Sequence, residues 1–475
     1  MVSIPLVVFW NLLGVEILPA TTEPRARPNI LLIYADDLGW KDPSYQGHPQ
    51  HETPHLDRLA AGGMIFHAGY AGAGNCAPSR ACLLSGSYTP RHRVFYVGAN
   101  NRGSQRSQRL IAMPGRSGLP AEVRTMAEVL RDAGYATGIF GKWHLAGADG
   151  ENAGNQGFEV VVDPRAHSPN RFRDEPQDPK GAFTITREAL GFMDRSKAAG
   201  KPFFAFVSHH AIHAALEARP ATLNRFRKVC DDPGAALYAA CLADFDASVG
   251  LLLEGLGQRG LAGDTLVVFS SDNGATKESP QEPLRGNKGG YYEGGIRVPM
   301  LVRWPGRTRS GSICRVPVHQ VDLFPTFLAA AGIPVPAGIP LDGVDLSGLL
   351  AGADPAPRAL FWHFPGYLDG PVLRGRPGDV ALGFRTRPVS VIRKGDWKLH
   401  LFHEEWVLDG GAAGLPASGA VELYHLGKDE GEHRDLAAEE PAKRDELLRD
   451  LLRWMEAVEA PLPEARNPAY RTPPR

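Results

Sequence analysis

Four runs of uninterrupted apolarity stand out in an otherwise mixed chain: Asn29-Ile30-Leu31-Leu32-Ile33-Tyr34-Ala35, Ala136 to Phe140, Pro202-Phe203-Phe204-Ala205-Phe206-Val207 and Thr265-Leu266-Val267-Val268-Phe269-Ser270. Continuous rather than alternating apolarity over so few residues marks strands buried on both faces of a parallel sheet. Between these runs the period changes to that of helices. Thr53-Pro54 caps and opens a helix through Leu59-Ala60 that Gly62-Gly63 stops. Thr125 and Glu128 have the spacing of a capping box for a helix over 125–133. Further helices are expected near 186–196 and over 235–256, the latter apolar at helical spacing and therefore a core helix. Short strands are expected at Met64-Ile65-Phe66 and over 299–303. Residues 146–182 are rich in Gly, Asn, Asp, Pro and Arg without periodicity and predict a long, substrate-facing or moving loop.

After Gly343-Val344-Asp345 the pattern shifts again, so a smaller unit is expected over 346–475, following a main domain over 28–345. Segments around Leu360 to Pro365, Lys394 to Leu399 and Glu422 to Tyr424 read as antiparallel strands, with Lys394-Gly395-Asp396 a hairpin turn. An amphipathic helix from Ala442 to Val458 is expected to pack on that sheet.

At 475 residues the chain exceeds what one core usually supports, in keeping with two domains. Its 43% apolar and 22% charged residues are those of a folded globular protein. A formal net charge of -1 provides no global field for nucleic acid or a polyanion, so attraction for an anionic substrate has to be local. Five cysteines (Cys76, Cys82, Cys230, Cys241 and Cys314) are too few and too scattered for a disulfide scaffold. Met1 to Ala20 is largely apolar, as in a secretory signal peptide, although no Lys or Arg precedes the run and Glu16 interrupts it. A secreted or periplasmic protein is expected, with no second apolar stretch long enough to span a bilayer.

The chemistry gathers behind the strands. The first delivers Asp36-Asp37 and the last Asp272-Asn273, at the C-terminal ends where open α/β sheets bind ligands. Adjacent acids repel unless a cation compensates them, and two strands ending in oxygen-ligand pairs point to a hard divalent metal, Ca²⁺ in preference to Mg²⁺ and either over zinc. Behind the other two strands lie Lys142 and His144, and then His209, His210 and His213, of which His213 is the favoured catalytic residue. A glycine-rich loop, Leu284 to Gly290, presents Lys288.

Cys76-Ala77-Pro78-Ser79-Arg80 opens a helix, with Pro78 in its first turn. That places Cys76 where free backbone N–H groups and the helix dipole favour an anion, and Arg80 adds an oxyanion-binding fork. On the residues alone Cys76 is a nucleophile, a buried thiol, a disulfide half or a zinc ligand. Its distance of about 600° of helical rotation from Cys82 excludes pairing within the helix. The arginines that follow, Arg91, Arg93, Arg102, Arg106 and Arg109, form either a pocket for an anionic sugar or a solvated basic loop.

The full string Cys-x-Pro-Ser-Arg-x-x-x-x-Ser-Gly, with the landmarks after it in order, resembles the type I, formylglycine-dependent sulfatases, arylsulfatase-like, over about residues 28 to 345 and more loosely beyond. The resemblance implies an alkaline-phosphatase-like α/β fold, with a large mixed sheet sandwiched by helices and a smaller C-terminal antiparallel-sheet-plus-helix domain. It implies a sulfuric ester hydrolase acting on a sulfate-ester small molecule or saccharide. A maturation enzyme would convert Cys76 to formylglycine, whose hydrate attacks sulfur. Asp36, Asp37, Asp272 and Asn273 would hold the metal, and Lys142 the sulfate. His213 and Lys288 would serve the leaving oxygen, and Arg80 and His144 the hydrate. A further serine that some members carry after the Lys-x-His segment has no assignable counterpart here. Phosphoester or phosphonate hydrolysis, and sulfated-glycan binding without catalysis, are the alternatives.

Overall fold

The computed structural model describes residues 27–98, 102–147, 151–165, 176–415 and 417–471. The expected signal segment, 1–20, lies outside the described residues. Among those described, eight strands form the main sheet, in the order 160–162, 136–141, 203–208, 29–35, 265–271, 300–303, 64–66, 312–314. Asn29–Ala35 sits at its centre, parallel to Phe203–Ser208 on one side and to Thr265–Ser271 on the other. Met300–Arg303 runs antiparallel, which makes the sheet mixed.

The continuous apolar runs are resolved by the pleat. Ile30, Leu32 and Tyr34 enter one core layer with Phe204, Phe206, Leu266 and Val268. Leu31, Ile33 and Ala35 enter the opposite layer with Phe203, Val207, Val267 and Phe269. Helices Cys76–Ser85, Met126–Asp132 and Leu323–Ala331 cover the first face. Pro54–Gly62, Ala182–Ala198 and Pro233–Gln258 cover the second. The Thr125 capping box forms, with Glu128 N–H donating to the Thr125 hydroxyl and Thr125 N–H to the Glu128 carboxylate.

Two expectations need correction. The segment 146–182 contains a parallel edge strand, Val160–Val162, paired to Gly138–Phe140. Three β-branched residues suffice for a strand when a sheet edge is waiting, and their polar surroundings masked them. Pro233–Gln258 is also long and apolar enough by composition to cross a bilayer, but 78% of its apolar 18-residue window is buried inside the protein. It is a core helix, as its periodicity indicates.

Downstream, an antiparallel sheet of Ala359–Phe364, Val389–Lys394, Trp397–Phe402 and Val421–His425 forms in strand order 359–364, 389–394, 397–402, 421–425. Gly395, with φ 60°, makes the two-residue turn between its central strands. Helix Pro441–Ala457 packs Leu447, Leu448, Leu451 and Met455 against Leu399, Leu401 and Leu423. The other face buries Trp362, Phe364 and Val391 against Tyr70, Phe95 and Ile296 of the main body. There Lys398 lies 2.9 Å from Glu293 and 3.0 Å from Glu432, all wholly buried. The downstream sheet therefore docks on the main body through its own apolar cluster and a buried ion pair.

Candidate active site

Asp36 and Asp37 are successive, and in an extended strand their side chains would point to opposite faces. Asp37 avoids this by adopting φ 66°, a left-handed conformation that aspartate tolerates better than most residues. The carboxylates of Asp36, Asp37 and Asp272 and the Cys76 thiol thus bring ligand atoms within 4.8 Å of one another, all on buried residues. Backbone bonds stitch the two strand ends together: Asp272 N–H donates to the Ala35 carbonyl at 3.2 Å, and Asp37 N–H to Asp272 Oδ1 at 3.1 Å. Asn273 gives its Nδ2–H to Asp37 Oδ1 and to the Gly274 carbonyl, both at 2.9 Å. Its Oδ1 is buried with no donor. A bare buried acceptor beside three carboxylates costs on the order of 1–3 kcal/mol, and a hard cation would satisfy it. The oxygen donors of Asp36, Asp37, Asp272 and Asn273 fit such an ion.

Three cations face the three acids. Lys142 Nζ is 2.6 Å from Asp36 Oδ2 and Lys288 Nζ 2.7 Å from Asp37 Oδ1. Arg80 donates through Nε and Nη2 to Asp272 Oδ2, and through Nη1 to the Lys142 carbonyl and to Ser208 Oγ. Burial works against the Asp36 charge, but Lys142, then His213 and Arg80, hold its carboxyl well below the usual range. For Asp272, burial and the neighbouring Asp36 charge push the pKa up to about 6. Burial disfavours charge on Lys142 and Lys288, yet the acids around them keep both ammonium groups charged.

Cys76 is the first residue of helix Cys76–Ser85, its Sγ 3.6 Å from Asp36 Oδ1 and 3.8 Å from Asp37 Oδ1. Burial, reinforced by the Asp272 charge, pushes its thiol up to about 12. All five cysteines are free. His144, at φ 62°, keeps a buried Nδ1 without a partner, and burial, with Lys142 and Arg80 close by, lowers its pKa to about 2. His213 presents Nε2 at 3.8 Å from Asp37 Oδ2 and bonds the Ala214 carbonyl through Nδ1 at 2.5 Å. His210 pairs with Asp163, and His209 is buried against the edge of Phe245. Of the three histidines only His213 joins the cluster.

A cavity of about 330 Å³ opens over this group, lined by Asp37, Cys76, His144, His213 and Lys288. Of the five arginines singled out from sequence, Arg102 alone lines it. Arg91 and Arg109 pair with Asp342 and Asp409, while Arg93 and Arg106 are exposed elsewhere. Sequence reasoning missed Ser208, which anchors Arg80, and Arg385, which reaches the cavity from strand Phe384–Thr386. Arg385 donates to the carbonyl of Lys288, 97 positions earlier, so no local motif marks it.

A large mixed sheet between helical layers, here with a helix-start cysteine facing strand-end carboxylates, is the alkaline-phosphatase-like hydrolase fold. Within that class the chain belongs to the sulfatase family, whose family model (Sulfatase) matches residues 28–333. It is 32% identical to arylsulfatase A of Homo sapiens over 473 residues, covering 89% of this chain and 86% of that protein. It is also 32% identical to N-acetylgalactosamine-6-sulfatase of Canis lupus familiaris over 370 residues, 71% of this chain and 68% of the relative. The crystal structure of Ps i-CgsB in complex with k-i-k-neocarrahexaose superposes with a TM-score of 0.71 at 26% identity, over 94% of each chain. The protein is an enzyme that hydrolyses sulfate esters, and its family works with a divalent metal and a formylglycine.

Proposed function

We propose that this enzyme removes sulfate from carbohydrate esters, using formylglycine made from Cys76 by a maturation enzyme and one Ca²⁺ held by Asp36, Asp37, Asp272 and Asn273. The observation that carries the reading is the convergence of Cys76 with three buried carboxylates, under a cavity lined by His144, His213 and Lys288. The cation supplies positive charge to draw in and orient the sulfate oxygens. Because Arg80, Lys142 and Lys288 already balance the three carboxylates, a divalent ion leaves the site positive for a monoanionic ester.

In the first half-reaction an oxygen of the residue 76 hydrate bonds to sulfur while the bond from sulfur to the leaving oxygen breaks. Asp272, with its raised pKa, takes the hydroxyl proton, and Arg80 holds that carboxylate in place. Lys142 binds the sulfate. Lys288 and His213 stabilise or protonate the departing alkoxide. In the second half, the neutral His144 ring uses its free nitrogen to accept the proton of the remaining hydroxyl. The carbon–oxygen bond to sulfate then breaks, releasing sulfate and an aldehyde that water hydrates again. A thiol offers no such elimination.

Family membership favours sulfuryl over phosphoryl transfer. We further propose that the protein is exported and that its smaller domain begins near residue 346. The deciding experiment measures sulfate release from an aryl sulfate and from a panel of sulfated mono- and oligosaccharides by matured, calcium-loaded protein. Release from none of them would overturn the proposal.

A further inference from the structure

The mouth of the cavity holds more positive charge than the sulfate requires. Lys288 is matched by Asp37, and Lys277 stands beside Glu278, but Arg385 lines the cavity with no carboxylate in ion-pair reach among the described residues, and Arg102 beside it has only a loose pair with Asp369. We propose that Arg385, with Arg102, forms a subsite for a second anionic group on the substrate, so that the preferred esters are sulfated saccharides carrying a further sulfate or a carboxylate. This rests on the sulfatase reading above.

Arg385 is built into its place. Its strand, Phe384–Thr386, pairs with Leu368–Asp369 in a small ribbon from the downstream part of the chain. Its Nη1 donates to the Lys288 carbonyl at 2.9 Å, tying it to the loop that carries the catalytic lysine. Its side chain lies across two glycines, Gly289 and Gly370, both at positive φ. A Cβ at Gly289 would collide with Arg385 Cδ, and one at Gly370 would lie 2.7 Å from Nη2. Yet its Nε is buried with no acceptor, and among the described residues no carboxylate reaches ion-pair distance. Burial, followed by the charge of Arg102, works against its protonation, while Asp37, Asp369 and Glu278 act only from farther away.

Arg102 is tied to the edge of the same ribbon from a separate segment. Its N–H donates to the Tyr367 carbonyl at 2.9 Å, and its Nε lies 3.9 Å from Asp369 Oδ1, with both side chains half exposed. So loose a surface pair contributes little and leaves the guanidinium free to turn. Two guanidinium forks beside the reacting centre suit a planar carboxylate or a sulfate, each able to accept paired N–H donors. A neutral aryl group or sugar hydroxyl would leave Arg385 Nε desolvated and bare, at a cost.

The test compares kcat/KM of the matured, metal-loaded full chain on 4-nitrophenyl sulfate, a singly sulfated neutral disaccharide, a disulfated disaccharide, and a sulfated disaccharide bearing a uronate. The wild type is expected to prefer one or both doubly anionic substrates, and which one distinguishes sulfate from carboxylate. In Arg385→Gln the ratio of doubly to singly anionic kcat/KM should fall by about 10–100-fold, mainly through KM, as for a lost charge-assisted contact. Arg385→Lys should restore part of the ratio. Arg102→Gln, at an exposed site and independent of any folding defect at Arg385, should lower it a few-fold. An unmoved ratio, or no wild-type preference, would overturn this inference while leaving the sulfatase reading intact. Absence of sulfate release from every ester would overturn both.

Discussion

Arg80 directs two N–H groups at a single oxygen of Asp272, Oδ2, at 3.0 and 2.8 Å, with both side chains sealed from solvent. This leaves Asp272 Oδ1 to the Asp37 N–H and to the carboxylate cluster. Arg80 therefore sets which oxygen of the proposed base faces the chemistry. Removing one partner of a buried pair strands the other charge, at about 3–5 kcal/mol. Arg80→Met is expected to lose roughly that much stability in urea unfolding. Arg80→Lys should recover some stability but little activity, because one ammonium cannot serve Asp272, the Lys142 carbonyl and Ser208 together. An Arg80→Lys enzyme with near-normal kcat would show that the orientation of Asp272 is not set this way.

Removal of metal should abolish turnover and lower the melting temperature. A ligand that binds only the folded state stabilises it by mass action, about 2.7 kcal/mol at a hundred times its Kd. Calcium is expected to restore both activity and melting temperature more fully than magnesium, because several rigid carboxylates and an amide suit its larger shell. Asp37→Asn should weaken the calcium response. Full activity in a protein shown by elemental analysis to lack divalent ions would contradict the proposed site.

Stability should fall on mild acidification for a reason unrelated to catalysis. Burial lowers the pKa of both His92 and His363 to about 3. Between that value and about 6.5 for the unfolded chain, the unfolded state binds the extra proton, so stability decreases as pH falls. Each such histidine contributes a slope approaching 1.4 kcal/mol per pH unit in that window. Urea midpoints measured from pH 7.5 to 5 should drop accordingly, and His363→Gln should flatten the slope. A midpoint independent of pH over this range would show that these rings are solvated in the folded state.

Much of this was legible because the sequence writes it locally. Asn29–Ala35 and Thr265–Ser271 are apolar throughout since both pleat faces are covered, and the polar residues at their C-terminal ends mark where the buried site begins. Asp36, Asp37, Asp272 and Asn273 sit at those ends, so strand pairing alone assembles them. What escaped notice depends on long-range packing. Arg385 enters the cavity on a small ribbon whose Leu368 packs in one cluster with Tyr70 and Ile296, and Ser208 reads as an ordinary strand-end serine until Arg80 is seen to bond it. His213 is the histidine favoured from the sequence, but the partners of its neighbours, Phe245 for His209 and Asp163 for His210, come from distant elements and could not be read there.

Cys76 carries the most exposed prediction. Its unmodified thiol is raised to about 12 by burial and by Asp272, so at neutral pH it would stay protonated and be a poor nucleophile. Even as a thiolate it could not expel sulfate by elimination. Protein made without the maturation enzyme should therefore be inactive, with a cysteine mass at position 76. Protein made with it should gain activity in proportion to the formylglycine fraction seen by peptide mass spectrometry. Cys76→Ser should be inactive or trap a covalent sulfate, because a serine hydroxyl can attack but has no second hydroxyl to drive release. Cys82→Ser provides the control. That thiol is buried beside the Gly72 carbonyl and His92, away from the carboxylates, and its variant should keep activity. If the active fraction instead carries an unmodified thiol at position 76, the hydrate cannot be the nucleophile, and attack on sulfur has to be assigned to another group in the cavity.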